Sequence, residues 1–245
     1  MNELTAERMQ TLKDNYSLIC ENIAAAAERS GRKAGDIELV AVTKTVPLID
    51  INYAIELGVR HIGENRVQEL ASKYDGLILR DDLTVSVIGH LQTNKAKPAV
   101  EMADMIQSVD SLHLAEEISK KAQLSGKVMP CLVEINIGNE VTKSGIPIEQ
   151  AEDLVCAAAA LDGIEIHGLM TIPPFDADEN KLRDFFEKIR KIYVDITTKY
   201  CHNNSIRMKY LSMGMSSDYE AAIECGSNMV RIGTALFGTR NYNKQ

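Results

Sequence analysis

The 245-residue chain is 45% hydrophobic and 25% charged, enough apolar material to bury a sizeable core without disulfides or metal ions. Its formal net charge of −8 excludes the basic footprint of a nucleic-acid or anionic-membrane binder, and 5% aromatics with no Trp disfavour a base-stacking surface. Five cysteines stand at no paired or metal-like spacing and are expected to be reduced, buried thiols. The first ten residues carry acids but no basic segment leading into an apolar core. No run approaches the roughly 18 apolar residues that a membrane span needs. A cytoplasmic protein is expected, with neither nucleic acid nor membrane as partner.

Residues 3–30 read as one long helix, with Leu12, Tyr16, Ile19 and Ile23 at three- and four-residue spacing and Ser30-Gly31 as the stop. Downstream, short Val-, Ile- and Leu-rich runs alternate with longer amphipathic stretches, the pattern of βαβ units and a parallel sheet. Eight strands are predicted, over 37–43, 61–63, 84–89, 105–109, 129–136, 164–171, 208–212 and 229–232. Seven helical patterns separate them, among them 47–57, 112–123, 148–161 and 179–200, and Pro47 suits the first turn of its helix. Strand starts recur 21 to 44 residues apart. That rhythm fits an α/β fold of the (β/α)8 TIM-barrel type, and no G-x-G-x-x-G follows the first strand to support a dinucleotide-binding open sheet. The expectation is a single domain over 1–245, with the N-terminal helix in 1–31 and the barrel in 37–238. Whether that helix covers the amino end of the barrel or docks against its side is left open. No long exposed apolar stripe is evident, which favours a monomer.

Ligands of parallel α/β folds bind beyond the carboxyl ends of the strands, so polar residues there carry the functional signal. Lys44 ends the first apolar run, and alternation puts it on one face with Val40 and Val42. At the barrel mouth, over a dry floor of those valines, it is a candidate amine nucleophile toward an aldehyde. Desolvation would favour its neutral form. The competing reading is a lysine that snorkels from the rim into solvent. Strand seven runs into Ser212-Met213-Gly214-Met215-Ser216-Ser217-Asp218 ahead of a helix over 219–224, and strand eight into Arg231-Ile232-Gly233-Thr234. Glycines and hydroxyls at helix starts after strands seven and eight make a phosphate seat, although each loop alone is explained by turns and caps. Arg231 shares a strand face with Gly233 and needs a partner inside a barrel, either a ligand or a structural ion pair. Asn65, after strand two, can stack on or hydrogen-bond a ligand ring. Lys143 lies in the loop after strand five. His61, His113, His167 and His202 show no ligand spacing and read as ordinary, and no metal is expected.

Seven segments carry a resemblance: AVTKTVP around Lys44, IGENRVQE around Asn65, IGHLQTNK, KSGI, HGLMTIPP, LSMGMSSDYEAAI and MVRIGTALFG. In order and spacing they resemble the YggS/PROSC family of pyridoxal 5′-phosphate (PLP) homeostasis proteins over nearly all of 37–238. The resemblance implies a PLP barrel of fold type III, like the N-terminal domain of alanine racemase. It implies the cofactor bound as an imine to Lys44, phosphate held by Ser216 and by the backbone of Gly233 and Thr234, Asn65 flanking the ring and Arg231 near its nitrogen. A permanently charged guanidinium there would oppose protonation of the ring and disfavour extensive carbanion chemistry. Lys143 matches a family lysine linked to a second cofactor molecule. The implied role is vitamin B6 homeostasis without catalytic turnover, by buffering PLP or passing it to apo-enzymes. Val46 departs from the pattern, since many relatives are basic there. The alternative is an amino-acid racemase of the alanine racemase type, but one barrel accounts for the 245 residues and no second domain is evident to bring a tyrosine base.

Overall fold

Eight parallel strands close on themselves in chain order in this computed structural model, which describes residues 4–140, 142–175 and 177–239. They are β1 (Glu38–Val42), β2 (His61–Glu64), β3 (Thr84–Val87), β4 (Met105–Val109), β5 (Met129–Ile135), β6 (Ile164–Thr171), β7 (Ile206–Met215) and β8 (Met229–Ile232). Closure comes from β8 pairing with β1, in register from Glu38↔Met229 to Ala41↔Ile232. All eight expected strands are present, and β4, β6 and β8 have the expected ends. β7 is longer than expected at both ends. At its start exposed Arg207 and Lys209 alternate with buried Ile206 and Met208.

Between the strands lie α2 (Leu48–Leu57), α3 (Val67–Lys73), α4 (Ala96–Met102), α5 (Leu112–Leu124), α6 (Ala151–Ala159), α7 (Glu179–Lys199) and α8 (Tyr219–Glu224). Pro47 caps α2 with extended backbone (φ −60, ψ 142) rather than lying in its first turn. The pattern over 148–161 divides into a 3-10 turn, Ile148–Gln150, and α6. Among the described residues, the helix that follows β8 is α9 (Thr234–Phe237), four residues long and not expected from the sequence.

That short last helix explains where the first one goes. One turn cannot cover the outer faces of β8 and β1, and α1 (Ala6–Arg29) fills the gap in the helical ring, packing on α2, α8 and α9. It therefore docks against the side of the barrel. Leu12, Ile19, Ile23, Ala26 and Ala27 form its buried stripe, at the helical spacing the sequence displays. Asn15 Nδ2 donates to the Leu236 carbonyl at 2.9 Å, and Arg29 pairs with Glu220 and Glu224. Exposed pairs of this kind contribute little, so the apolar stripe holds the helix.

The larger core lies between strands and helices, and a smaller one of Val40, Met105, Leu132, Met170 and Met229 fills the barrel. The cysteines only partly follow expectation. Cys131 and Cys225 are buried and Cys20 and Cys156 half-buried, but Cys201 is exposed in the turn that follows α7; all five are free thiols. Among the described residues no helix is long and apolar enough to cross a membrane.

Leu12 is fully buried and Leu18, on the same helix, is 56% exposed. Leu12→Ala should lower stability by about 2–5 kcal/mol, read from the urea unfolding midpoint, whereas Leu18→Ala should stay within about 0.5 kcal/mol. Equal effects would mean that α1 does not dock by this stripe.

Candidate functional site

Lys44 lies two residues beyond the end of β1, half-buried in the turn that leads to α2. The ladder persists past the strand, since the Thr43 amide donates to the Gly63 carbonyl at 3.0 Å. Next in the chain, Thr45 adopts a left-handed φ of 61, an unfavourable conformation for a β-branched residue. A buried ionic cluster outside the strand holds this turn. Lys73 Nζ donates to the Thr43 carbonyl at 2.8 Å and to Glu64 Oε1 and Glu69 Oε1 at 2.7 Å each. Glu69 also accepts the Thr45 amide, and Glu64 accepts the Thr43 hydroxyl at 2.8 Å. Three groups within three residues are thus tied to α3 and β2, with Lys44 in their midst. Burial pushes the Glu64 carboxyl up, against the Lys73 ammonium that holds it down.

A cavity of about 460 Å³ opens beside this turn, lined by Lys44, Val42, Thr45, Gly233, Thr234 and the Arg8–Asp50 pair. Gly233 stands where a Cβ would meet Val42 Cβ at 3.2 Å, so the glycine keeps the β8 loop close to the strand that carries the lysine. Ser216 reaches the same loop from β7. Its Oγ accepts the amides of Gly233 and Ala235, both at 3.2 Å. Two accepted bonds use both lone pairs and leave the hydroxyl hydrogen to donate outward. Gly214, two residues earlier, has φ 95, and a Cβ there would fall 2.6 Å from Ala222 Cβ. The β7–α8 turn is therefore closed to larger residues. The helices behind the seat are only six and four residues long, so individual N–H and O–H groups matter more than helix dipoles.

Arg231 lies beneath, inside the barrel and 3% exposed. Its guanidinium donates to Ser212 Oγ at 2.7 Å and to the Thr171 carbonyl at 2.8 Å. Burial lowers its pKa to about 10, opposed by Glu134 and Asp218. Glu134 is 6% exposed and leaves Oε2 without a hydrogen-bond partner. Its carboxyl is raised to about 7 by burial and by nearby Asp110, against the pull of Arg231. The floor of the barrel is therefore less dry than expected: Val40 and Val42 are joined there by a charged and hydroxylated layer.

The structure brings Lys44, Gly233 and Thr234 to one cavity, with Ser216 bonded into its wall and Arg231 buried below. Asn65 does not share that cavity. It packs against Gly89 and lines a separate depression of about 500 Å³ with Arg66, His90, Gln92 and Lys95. Lys143 lines a third cavity, of about 770 Å³, with Pro173, Arg183, Tyr219 and the opposite side of Ser216. Its ammonium pairs with Glu140 and donates to the Pro173 carbonyl at 3.1 Å. His61 is far from ordinary: it is 2% exposed and bonded on both ring nitrogens. Glu134 and Gln107 went unremarked in the sequence, and Ser212 was named only where strand seven runs into its loop, although each is a polar residue at an inward position of an apolar strand. That interruption was the available signal. Among the described residues no group of three or more His, Cys, Asp or Glu could hold a metal ion.

Residues 15–241 match the family model "Alanine racemase, N-terminal domain". The chain is similar to the pyridoxal phosphate homeostasis protein of Aquifex aeolicus, 40% identical over 94% of this chain and 98% of that protein. It is 36% identical to the protein of the same name from Escherichia coli, over 97% and 100%. Among solved structures it resembles PipY of Synechococcus elongatus with PLP bound, at a TM-score of 0.76 and 33% identity, covering 87% of this chain and 100% of that one.

The raised Glu134 carboxyl has a stability signature in the cofactor-free protein. A folded-state pKa above the unfolded one gives stability that is fully present below about pH 4.5 and lost as pH rises through about 7. Relative to Glu134→Gln, the wild type should lose up to about 3 kcal/mol across that window, measured by urea unfolding at a series of pH values. Parallel curves would show that Glu134 ionises as it would in water.

Proposed function

The chain belongs to the family of the pyridoxal phosphate homeostasis proteins, built on the barrel of the alanine racemase N-terminal domain, and on that premise we propose that it binds pyridoxal 5′-phosphate and holds it for buffering or transfer, without catalytic turnover. One observation carries the reading: the Lys44 amine and the Gly233–Thr234 turn line one cavity at the carboxyl end of the barrel, and Ser216, from the neighbouring cavity, is bonded to that turn.

The donor set fits the cofactor. When bound, PLP supplies an aldehyde that condenses reversibly with amines. Lys44 supplies the amine for covalent attachment, on a turn anchored by Lys73, Glu64 and Glu69 so that the side chain starts from a defined position. The Thr234 amide and hydroxyl, in the backbone turn that Gly233 makes, and the outward hydrogen of Ser216 hold the phosphate, while the Gly233 amide itself is bonded to Ser216 Oγ. The carboxylate lining this cavity, Asp50, is neutralised by Arg8, whose Nε donates to it at 2.9 Å. Asp218, behind the seat, is turned onto the Met215 amide, and burial raises its pKa. Arg231 supports the ring nitrogen from below, and Asn65 flanks the ring from the adjoining depression. A guanidinium that stays charged keeps that nitrogen unprotonated, which suits a carrier better than an enzyme that must stabilise a carbanion. The recipients on this reading are apo-enzymes in the cytoplasm, and the protein acts as a single-domain monomer.

Borohydride reduction of the PLP-loaded protein, followed by mass mapping, should put the cofactor on Lys44, and Lys44→Ala should abolish the adduct. A reduced adduct on Lys143 in place of Lys44 would overturn the assignment of the anchor. Ser216→Ala should weaken PLP affinity by about 1–2 kcal/mol, measured by equilibrium titration. Unchanged affinity would remove that hydroxyl from the phosphate seat. The shared barrel makes racemisation the competing reading. Incubation of the loaded protein with L-alanine in deuterated water should give no sustained α-proton exchange, and continuing exchange would make it an enzyme.

A further inference from the structure

A continuous line of polar side chains, buried from His61 onward, crosses the interior of the barrel, and the function proposed above uses only its last member. It begins at Glu38, the first residue of β1, whose Oε1 lies 3.1 Å from His61 Nδ1. His61 Nε2 lies 2.6 Å from Ser86 Oγ, and Ser86 Oγ lies 3.1 Å from Gln107 Nε2. Gln107 Oε1 then accepts Ser212 Oγ at 2.8 Å, and Ser212 Oγ accepts Arg231 at 2.7 Å. Ser86, Gln107 and Ser212 are fully buried, so no solvent competes along the way. These residues come from β1, β2, β3, β4, β7 and β8, and the line runs from the amino end of the barrel to the floor of the candidate site.

The line has a direction. An arginine can only donate, so Arg231 takes an acceptor position of Ser212. The Ser212 hydrogen then goes to Gln107, whose oxygen must face it. The amide nitrogen of Gln107 is thereby turned to Ser86, and also toward Met229 Sδ at 3.3 Å, a weak acceptor that suits N–H better than a second lone pair. Ser86 accepts from Gln107, and among the described residues His61 Nε2 is the acceptor within reach of its hydrogen, which therefore goes there. That nitrogen must therefore be unprotonated, and the ring proton sits on Nδ1, facing Glu38. The Glu38 carboxyl is held below its ordinary range chiefly by this bond.

We propose that Gln107 and Ser212 are positioning residues that hold Arg231 in one orientation under the cofactor ring, and that the same chain locks His61, at the far end of the barrel, in the Nδ1–H tautomer. The effect on the cofactor rests on the reading that PLP lies above Arg231; the lock on His61 does not. A hydroxyl at position 212 does more than fill space, because it fixes the amide of Gln107 on β4, three strands along the sheet.

Nitrogen-15 NMR of the cofactor-free, histidine-labelled protein, under conditions that keep the imidazoles neutral, tests the chain. The His61 signals are identified by their loss in His61→Gln. The wild type should show Nδ1 protonated and Nε2 as an unprotonated, hydrogen-bonded nitrogen; a proton on Nε2 overturns the proposal. Ser212→Ala should release the lock, so that the His61 signals move toward a mixture of tautomers, and Ser212→Thr should restore them. His61 signals untouched by Ser212→Ala overturn the coupling. Should Ser212→Ala fail to fold, Gln107→Met provides the same readout. In the PLP-loaded protein the absorbance band should shift in Ser212→Ala and return in Ser212→Thr. A stationary band alongside altered His61 signals overturns the effect on the cofactor. A wild type that takes up no PLP defeats the functional reading instead, while the His61 spectrum still decides the chain.

Discussion

A guanidinium that keeps its charge has been placed inside a closed barrel, and much of the interior is arranged around it. Desolvating Arg231 costs free energy unless acceptors are within reach. The barrel wall provides them from several sides: the Thr171 carbonyl at the end of β6, Ser212 on β7, and the charges of Glu134 and Asp218 further off. Each of these has consequences of its own. Glu134 is buried by the arrangement and drawn toward neutrality, and Ser212 must pass its hydrogen on to Gln107. What would otherwise be an apolar plug of Val40, Met105, Leu132, Met170 and Met229 becomes a mixed interior with a defined polarity.

Most of the frame could be read from the chain because period-two and period-3.6 patterns are local. Eight apolar runs in a barrel rhythm were enough to foresee closure. The lysine, the glycines and the hydroxyls at the strand ends were also visible, since their types are unusual at those positions. The rest depended on partners far apart in sequence. Lys73 stabilises the Lys44 turn from 30 residues away in the chain, and its own helix gives no sign of that. His61 looked ordinary because Glu38 and Ser86 belong to other strands. Helix α9 is too short to have a period, and the side-on docking of α1 follows from that shortness. Asn65 was rightly placed at a strand end, but only the fold could show which depression it faces.

The two ends of the barrel are built for different tasks. At the carboxyl end, small residues and loops create concavities, and the Ser216 hydroxyl joins the loops of β7 and β8. Outside the barrel, α1 stabilises the same corner from behind: Arg8 donates to the Phe237 carbonyl at 2.9 Å, Asn15 to that of Leu236, and Asn22 to the Tyr219 hydroxyl at 3.0 Å. The seat is thus gripped from the interior by Ser216 and from the exterior by a helix distant in sequence. Such double support suits a site that must present donors in place before a ligand arrives.

The union of α1 with α8 and α9 also bears on how the protein is made. During synthesis α1 leaves the ribosome ahead of the barrel, with Leu12, Ile19 and Ile23 exposed, and its partners α8 and α9 follow only after β7 and β8 respectively. The contacts that complete the seat are among the longest in sequence, such as Arg8 to Phe237, and contacts of that kind form slowly. A nascent chain can form the strand pairs from β1 to β7 and still lack β8, Gly233 and Thr234. Lys44 is therefore translated well before Gly233 and Thr234, and the cavity that the three share cannot form until the segment after β8 has followed.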